Sequence, residues 1–239
     1  MTAILRRELR ASFTSPSGYV FLSVFLLVAN LLFIFFNLAL SSSDLSSLFY
    51  SMAVLFMFLT PLLSMRMLAG EYRAGTDKLL LCAPVRPFSI VMGKFLAGLS
   101  VCAAALALSL GDVAVVALSG RLNAASAAGN YAGLLFLAAL FVSAGLFISS
   151  LCESQFVAAA GSLCIFSSLF VLDWAADFIP WRGAAAIMLW ISPLRRFSNM
   201  TRGMFFFSDI IFFLSAAFIF LFLASRVLEK RRWSKGGRT

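Results

Sequence analysis

The sequence contains no histidine, and only 12% of its 239 residues are charged. Without histidine the commonest general base is gone, and with it the zincin HExxH site and the usual Ser-His and Cys-His dyads. Cysteine is scarce. Cys82, Cys102, Cys152 and Cys164 form no CxxC pair, and three of them lie in or beside apolar runs. Neither a disulfide framework nor a zinc site is expected from that pattern. Neither GxSxG nor a GxxxxGK-Ser/Thr P-loop occurs: Gly93-Lys94 lacks the upstream glycine and is followed by Phe95. A P-loop ATP site is therefore excluded from this chain. The shortage of charge also excludes an ordinary soluble domain, which carries roughly a quarter charged residues.

What the chain has instead is apolar length. It is 62% hydrophobic with 27 Phe, and its mean hydropathy is +0.99. Runs of membrane-crossing length place it in a bilayer as an all-α polytopic protein. Nineteen Lys and Arg against ten Asp and Glu give a net charge of +9. That excess reads as topology, because cytoplasmic loops collect Lys and Arg. Nucleic-acid binding would need a basic face on a soluble domain, and no stretch is long enough to build one.

Along the chain, "ILRRELRASF" (Ile4 to Phe13) has Leu5, Leu9 and Phe13 four residues apart, with Arg6, Arg7 and Arg10 on the other side. That spacing predicts an amphipathic interfacial helix lying in the headgroup layer with its cations on anionic lipid. "SPSG" (Ser15 to Gly18) breaks it. About six transmembrane helices follow, over residues 19–40, 48–68, 90–118, 131–151, 155–172 and 209–228. The first is too long for the core of a cleaved signal peptide, despite "ALS" at Ala39 to Ser41. "GRLNAASAAGN" (Gly120 to Asn130) reads as an outer loop and "EKRRWSKGGRT" as a basic tail. Between the fifth and sixth spans, "GAAAIMLWI" (Gly183 to Ile191) is about half a span. It is expected as a re-entrant or interfacial helix bracketed by Pro180 and Pro193. No internal repeat or separate soluble domain is visible, so residues 1–239 read as one transmembrane domain.

Counting cations sets the orientation. With both termini cytoplasmic, only Arg121, Arg182, Arg195, Arg196 and Arg202 of the nineteen fall outside or in the segment between the last two spans. Asp173, Asp177 and Asp209 lie nearby as partners for the last of these. The segment Ala69 to Phe88, "AGEYRAGTDKLLLCAPVRPF", then faces the cytoplasm. Gly75 and Thr76 offer a turn and an N-cap, Asp77 the first turn, and Pro84 and Pro87 a stop. Leu79, Leu80 and Leu81 suit either docking on another protein or packing beneath their own spans.

"MRMLAGEYRAGTDKLLLCAPVRPFSIVMGKFLAG" resembles the cytoplasmic signature of permease subunits of type 2 ABC exporters, matching at Glu71, Arg73, Gly75, Thr76, Leu79, Leu80, Pro84 and Val85. "SPSGYVFLSVFLL", "GLFISSLCESQFVAA", "ISPLRRFSNMTRG" and "FLASRVLEKRRW" resemble, in order, further stretches of the gliding-motility and nitrous-oxide-reduction branch. Gly70, where an acid often stands, and Cys82, where Thr or Ser is common, depart from that pattern. The resemblance implies an exporter permease of a bacterial inner membrane, itself not an enzyme and binding no cofactor. It would pair with a second permease copy or paralogue and with a separate ATPase subunit that binds ATP and Mg. It also implies a cytoplasmic coupling helix between spans two and three. Glu71, Arg73, Gly75 and Thr76 would shape that element, Leu79 and Leu80 would anchor it, and Pro84 would bound it.

Three other polar positions carry expectations. Asp112, within the third span, is either a pathway residue or an acid snorkelling to the outer interface. Glu153 and Gln155 cap the turn between spans four and five, with a second ATPase contact as the alternative role. Gly129 and Gly133 form a GxxxG pair that would let helices approach closely. Two rival functions share this topology. An intramembrane lipid-modifying enzyme would need catalytic polar residues clustered at one depth, and here the acids are scattered. A membrane scaffold or assembly factor would differ only in moving no substrate. The cargo is not legible.

Overall fold

Lipid offers no partner to a backbone N–H or C=O, so an apolar chain that crosses it closes its hydrogen bonds within each span. The computed structural model of the protein describes residues 2–39, 46–74, 87–118, 124–176, 190, 192–201 and 207–236, and their regular structure is entirely helical. Gly75, Thr76, Leu79, Leu80 and Pro84, and most of the segment Gly183 to Ile191, lie outside these residues.

Helix α1 (Thr2–Thr14) runs into α2 (Pro16–Phe33) through the single residue Ser15, and a wider π-helical turn over Ile34–Ala39 extends α2. Ser15 caps α2 by accepting from the Gly18 N–H, and Pro16 occupies the first turn, where its missing N–H costs nothing. Gly18 sits against the Ser12 carbonyl so closely that a Cβ would collide with it. Helix α3 (Ser46–Ser64) leads to the short α4 (Ala69–Ala74). Helix α5 (Pro87–Leu108) breaks at Ser109 and resumes as α6 (Leu110–Leu118). Helices α7 (Ala124–Leu151) and α8 (Gln155–Ala176) follow, then the short α9 (Pro193–Thr201) and the long α10 (Phe207–Gly236). Among the described residues, five helices are long and apolar enough to cross a membrane: Pro16–Asn37, Ser46–Tyr72, Pro87–Val115, Ser126–Leu151 and Phe207–Arg232. Gln155–Val171 is a shorter apolar sixth.

Two expectations change. The outer loop read at Gly120 to Asn130 is helical from Ala124, because "AASAA" is alanine-rich and alanine is the strongest helix former. The basic tail is a continuation of α10 through Gly236. The third span is interrupted at Ser109, between α5 and α6. The Ser109 carbonyl accepts from the Asp112 N–H at 3.1 Å and from the Tyr131 hydroxyl of α7 at 3.0 Å, which ties the break to the neighbouring helix.

Helix α7 is the hub, packing on α10 most extensively and also on α3, α5, α8 and α9. It is apolar all round, as a buried membrane helix must be, and small residues let its neighbours close in. A Cβ at Gly145 would stand 2.5 Å from Ser64 Oγ and 2.7 Å from Ser64 Cβ, so α3 and α7 touch almost backbone to backbone there. Of the anticipated GxxxG pair, Gly133 does permit close packing, but against Phe197 and Met200 of α9 rather than another span. Ring contacts Phe25–Phe56 and Phe141–Phe166, each 4.8 Å between centroids, seat α2 on α3 and α8 on α7.

Gly145→Ala is expected to lower stability by about 1–3 kcal/mol through overpacking. Gly161→Ala, where the nearest atom to a new Cβ is 3.4 Å away, is the control expected to change nothing. Thermal unfolding of the two purified variants in detergent checks this.

Candidate functional site

Lys94 stands two turns into α5, and its side chain is only 2% exposed. An ammonium so far out of water must be paired. Its Nζ donates to Glu71 Oε1 at 2.7 Å and to Glu8 Oε2 at 3.2 Å, carboxylates from α4 and α1 respectively. Arg7 Nη2 lies 3.8 Å from Glu71 and 3.9 Å from Glu8, but it is 66% exposed, and such pairs contribute little. Three elements far apart in sequence therefore meet on one buried cation. Beside it a cleft of about 220 Å³ opens between α1 and the ends of α3 and α4. Arg7, Ser12, Ser15, Arg66, Met67 and Lys94 are among its walls.

Helix α4 is held from other directions as well. Its first N–H groups lack intrahelical partners, and Ser149 Oγ of α7 accepts from the N–H groups of Leu68 (3.4 Å) and Ala69 (3.0 Å). A cap normally supplied by the preceding residue comes here from 80 positions downstream. Gly70 leaves room for Gln155, whose Nε2 would be 3.1 Å from a Cβ at that position. The departure at Gly70 thus has a local reason: α4 and the start of α8 pack there. Arg231 of α10 lies over the Tyr72 ring at 4.4 Å and reaches the turn before α8.

Glu71, Glu153 and Gln155, singled out separately in the sequence, thus belong to one end of the bundle. Glu71 is among its inner contacts, whereas the Glu153 side chain is 82% exposed. Arg73 lies on α4. Asp112 is elsewhere, in the first turn of α6, past the Ser109 break. It is 8% exposed, and its Oδ2 has no hydrogen-bond partner among the described residues. At that far end Arg196 Nη1 donates to Asp209 Oδ1 at 2.7 Å and Arg196 Nε to the Trp190 carbonyl at 3.0 Å. The guanidinium lies 4.2 Å over the Phe212 ring. Asp209 is among the partners foreseen for the arginines of this segment, and Arg196 is the one it takes. Lys94 and Glu8 were not read as site residues. The available signals were a lysine inside an apolar run and the single acid of an arginine-rich helix.

Lys94→Met would strand two carboxylates at low exposure, at a cost of about 3–5 kcal/mol. Adding Glu8→Gln and Glu71→Gln to it is expected to recover most of that loss. Unfolding temperatures of the single and triple variants in nanodiscs decide the point; a triple variant no better than the single would remove the charge explanation.

A family model described as ABC-2 family transporter protein matches residues 2–231. A search of curated proteins gave no match.

Proposed function

The chain belongs to the ABC-2 transporter family, and from that premise we propose that this membrane subunit takes mechanical force from a separate ATPase at the end of the bundle that carries α4. The ATPase binds ATP and Mg, two permease subunits form the membrane part, and substrate leaves the cytoplasm. The permease domain spans residues 1–239 of a bacterial inner-membrane protein with both termini cytoplasmic. Arg7, Arg66, Lys94 and Arg231 gather at the α4 end, as positive-inside logic asks of a cytoplasmic face.

The observation that carries the reading is the fixation of Glu71. A residue that shapes a lever must not move independently of what it drives. Glu71 is joined through Lys94 to α5 and to α1. Displacement of α4 would therefore load three elements together. Glu71, Arg73, Gly75 and Thr76 shape the coupling element, Leu79 and Leu80 anchor it in the ATPase groove, and Pro84 ends it. Glu153 and Gln155 stand next to α4 and form the second contact. Asp112 lies on the substrate pathway. The four stretches quoted above favour the gliding-motility-like branch.

Glu71→Ala and Leu79→Asp are each expected to weaken ATPase binding about tenfold or more, or roughly 1.4 kcal/mol. Titration of labelled ATPase onto the permease in nanodiscs measures this. Wild-type affinity in both variants would dismiss the docking assignment.

A further inference from the structure

The last span does not stop at the bundle's end. Helix α10 is 30 residues long, about 45 Å, and its final described turns stand beside α4 and the turn before α8. Arg231 makes a connection there. Arg231 Nη2 donates to the Leu151 carbonyl at 3.2 Å, its Nη1 lies 3.5 Å from Glu153 Oε1, and its guanidinium lies 4.4 Å over the Tyr72 ring. The side chain is 22% exposed although it carries a full charge at the rim of the bundle.

The three contacts together suit a guanidinium. Leu151 ends α7, so its carbonyl is one of the orphan acceptors of a helix C-terminus, where a cation is also favoured. Glu153 supplies charge, and Tyr72 supplies an electron-rich face. Only a planar group with donors around its edge serves an aromatic face and two acceptors at once. Arg231 therefore joins α10 to α4, to the end of α7 and to the turn before α8. Arg226 and Lys230, its neighbours on the same helix, are exposed, and Arg226 pairs locally with Glu229 at 3.0 Å.

We propose that Arg231 is a positioning residue that makes the inner end of α10 a working part of the coupling element, so that the last span moves with α4. This rests on the reading of α4 as the ATPase contact, and goes beyond it by naming the helix that receives the motion and the side chain that passes it on. Arg231 does not itself bind the ATPase. It holds the surface that does and ties that surface to a helix that, through Asp209 and Arg196, is anchored at the opposite end of the bundle.

The test has two arms. In the permease alone, Arg231→Gln is expected to raise hydrogen exchange of the α4 amides about tenfold, because one of the holds on a six-residue helix is gone. In the complex with its cognate ATPase, the same variant is expected to keep the binding constant within about twofold. It loses about fivefold or more of the permease-dependent change in ATP turnover, the size of a modest coupling energy. Arg231→Lys fails in the same way, Tyr72→Phe retains coupling because the ring remains, and Tyr72→Leu matches Arg231→Gln. The double variant is no worse than either single one. Unchanged α4 exchange in Arg231→Gln overturns the inference. So does intact turnover despite a loosened α4, and so does a loss of turnover that tracks a loss of affinity. A wild-type chain that binds no ATPase defeats both this inference and the function it rests on. Loss of turnover coupling in Glu71→Ala with none in Arg231→Gln defeats this inference alone.

Discussion

An ammonium removed from water at the edge of a lipid bilayer sets the terms for everything around it. Lys94 gains no partner from its own helix, and solvent reaches only 2% of its side chain. It holds its charge because Glu8 and Glu71 converge on it, and neither could be moved without leaving a stranded charge. The consequence is architectural. An amphipathic helix such as α1 is free by composition to lie anywhere in the headgroup layer, yet it is fixed across the start of α5. A six-residue helix such as α4 is too short to be stable alone, yet it has a defined place.

The two ends of the bundle use charge in opposite ways. At the α4 end the cations are numerous, partly exposed and shared between elements. At the far end Arg196 is buried against Asp209, Trp190 and Phe212, and it adds almost nothing to the net charge of that face. Positive-inside logic weighs Arg196 equally with Arg6 or Arg232, whereas the structure gives Arg196 a buried partner of its own in Asp209.

The spans were legible because hydropathy adds along a single helix and needs no knowledge of neighbours. So were the amphipathic α1, capped off at Ser15, and the polar interruption after α3. What could not be read was set by contacts between distant positions. Lys94 and Glu8 are 86 residues apart, and Leu151 and Arg231 are 80 apart; no periodicity marks either pair. The break at Ser109 is tied to α7 by Tyr131, and an isolated serine in an apolar run gives no sign of that. Gly145 was hidden for a related reason: among many small residues, only the position of Ser64 distinguishes the glycine that matters from those that do not. The loop assigned to Gly120 to Asn130 failed differently. Asn and Gly signalled a turn, while the intervening alanines carried the stronger preference for helix.

The stiffness of α4 is thus a property of its neighbours. Ser149 satisfies its first N–H groups from α7, Gln155 packs on Gly70 from α8, Lys94 holds Glu71 from α5, and Arg231 covers Tyr72 from α10. Four spans each contribute one side chain, by four kinds of contact: a cap, a close approach, an ion pair and a cation–π stack. On the proposed reading, a push on α4 fastened in this way would reach four helices at once instead of the two it joins in sequence. On the proposed reading this is what a permease without an ATP site requires. The work arrives from outside at one small helix, and only side chains from distant parts of the chain can spread it before that helix simply melts.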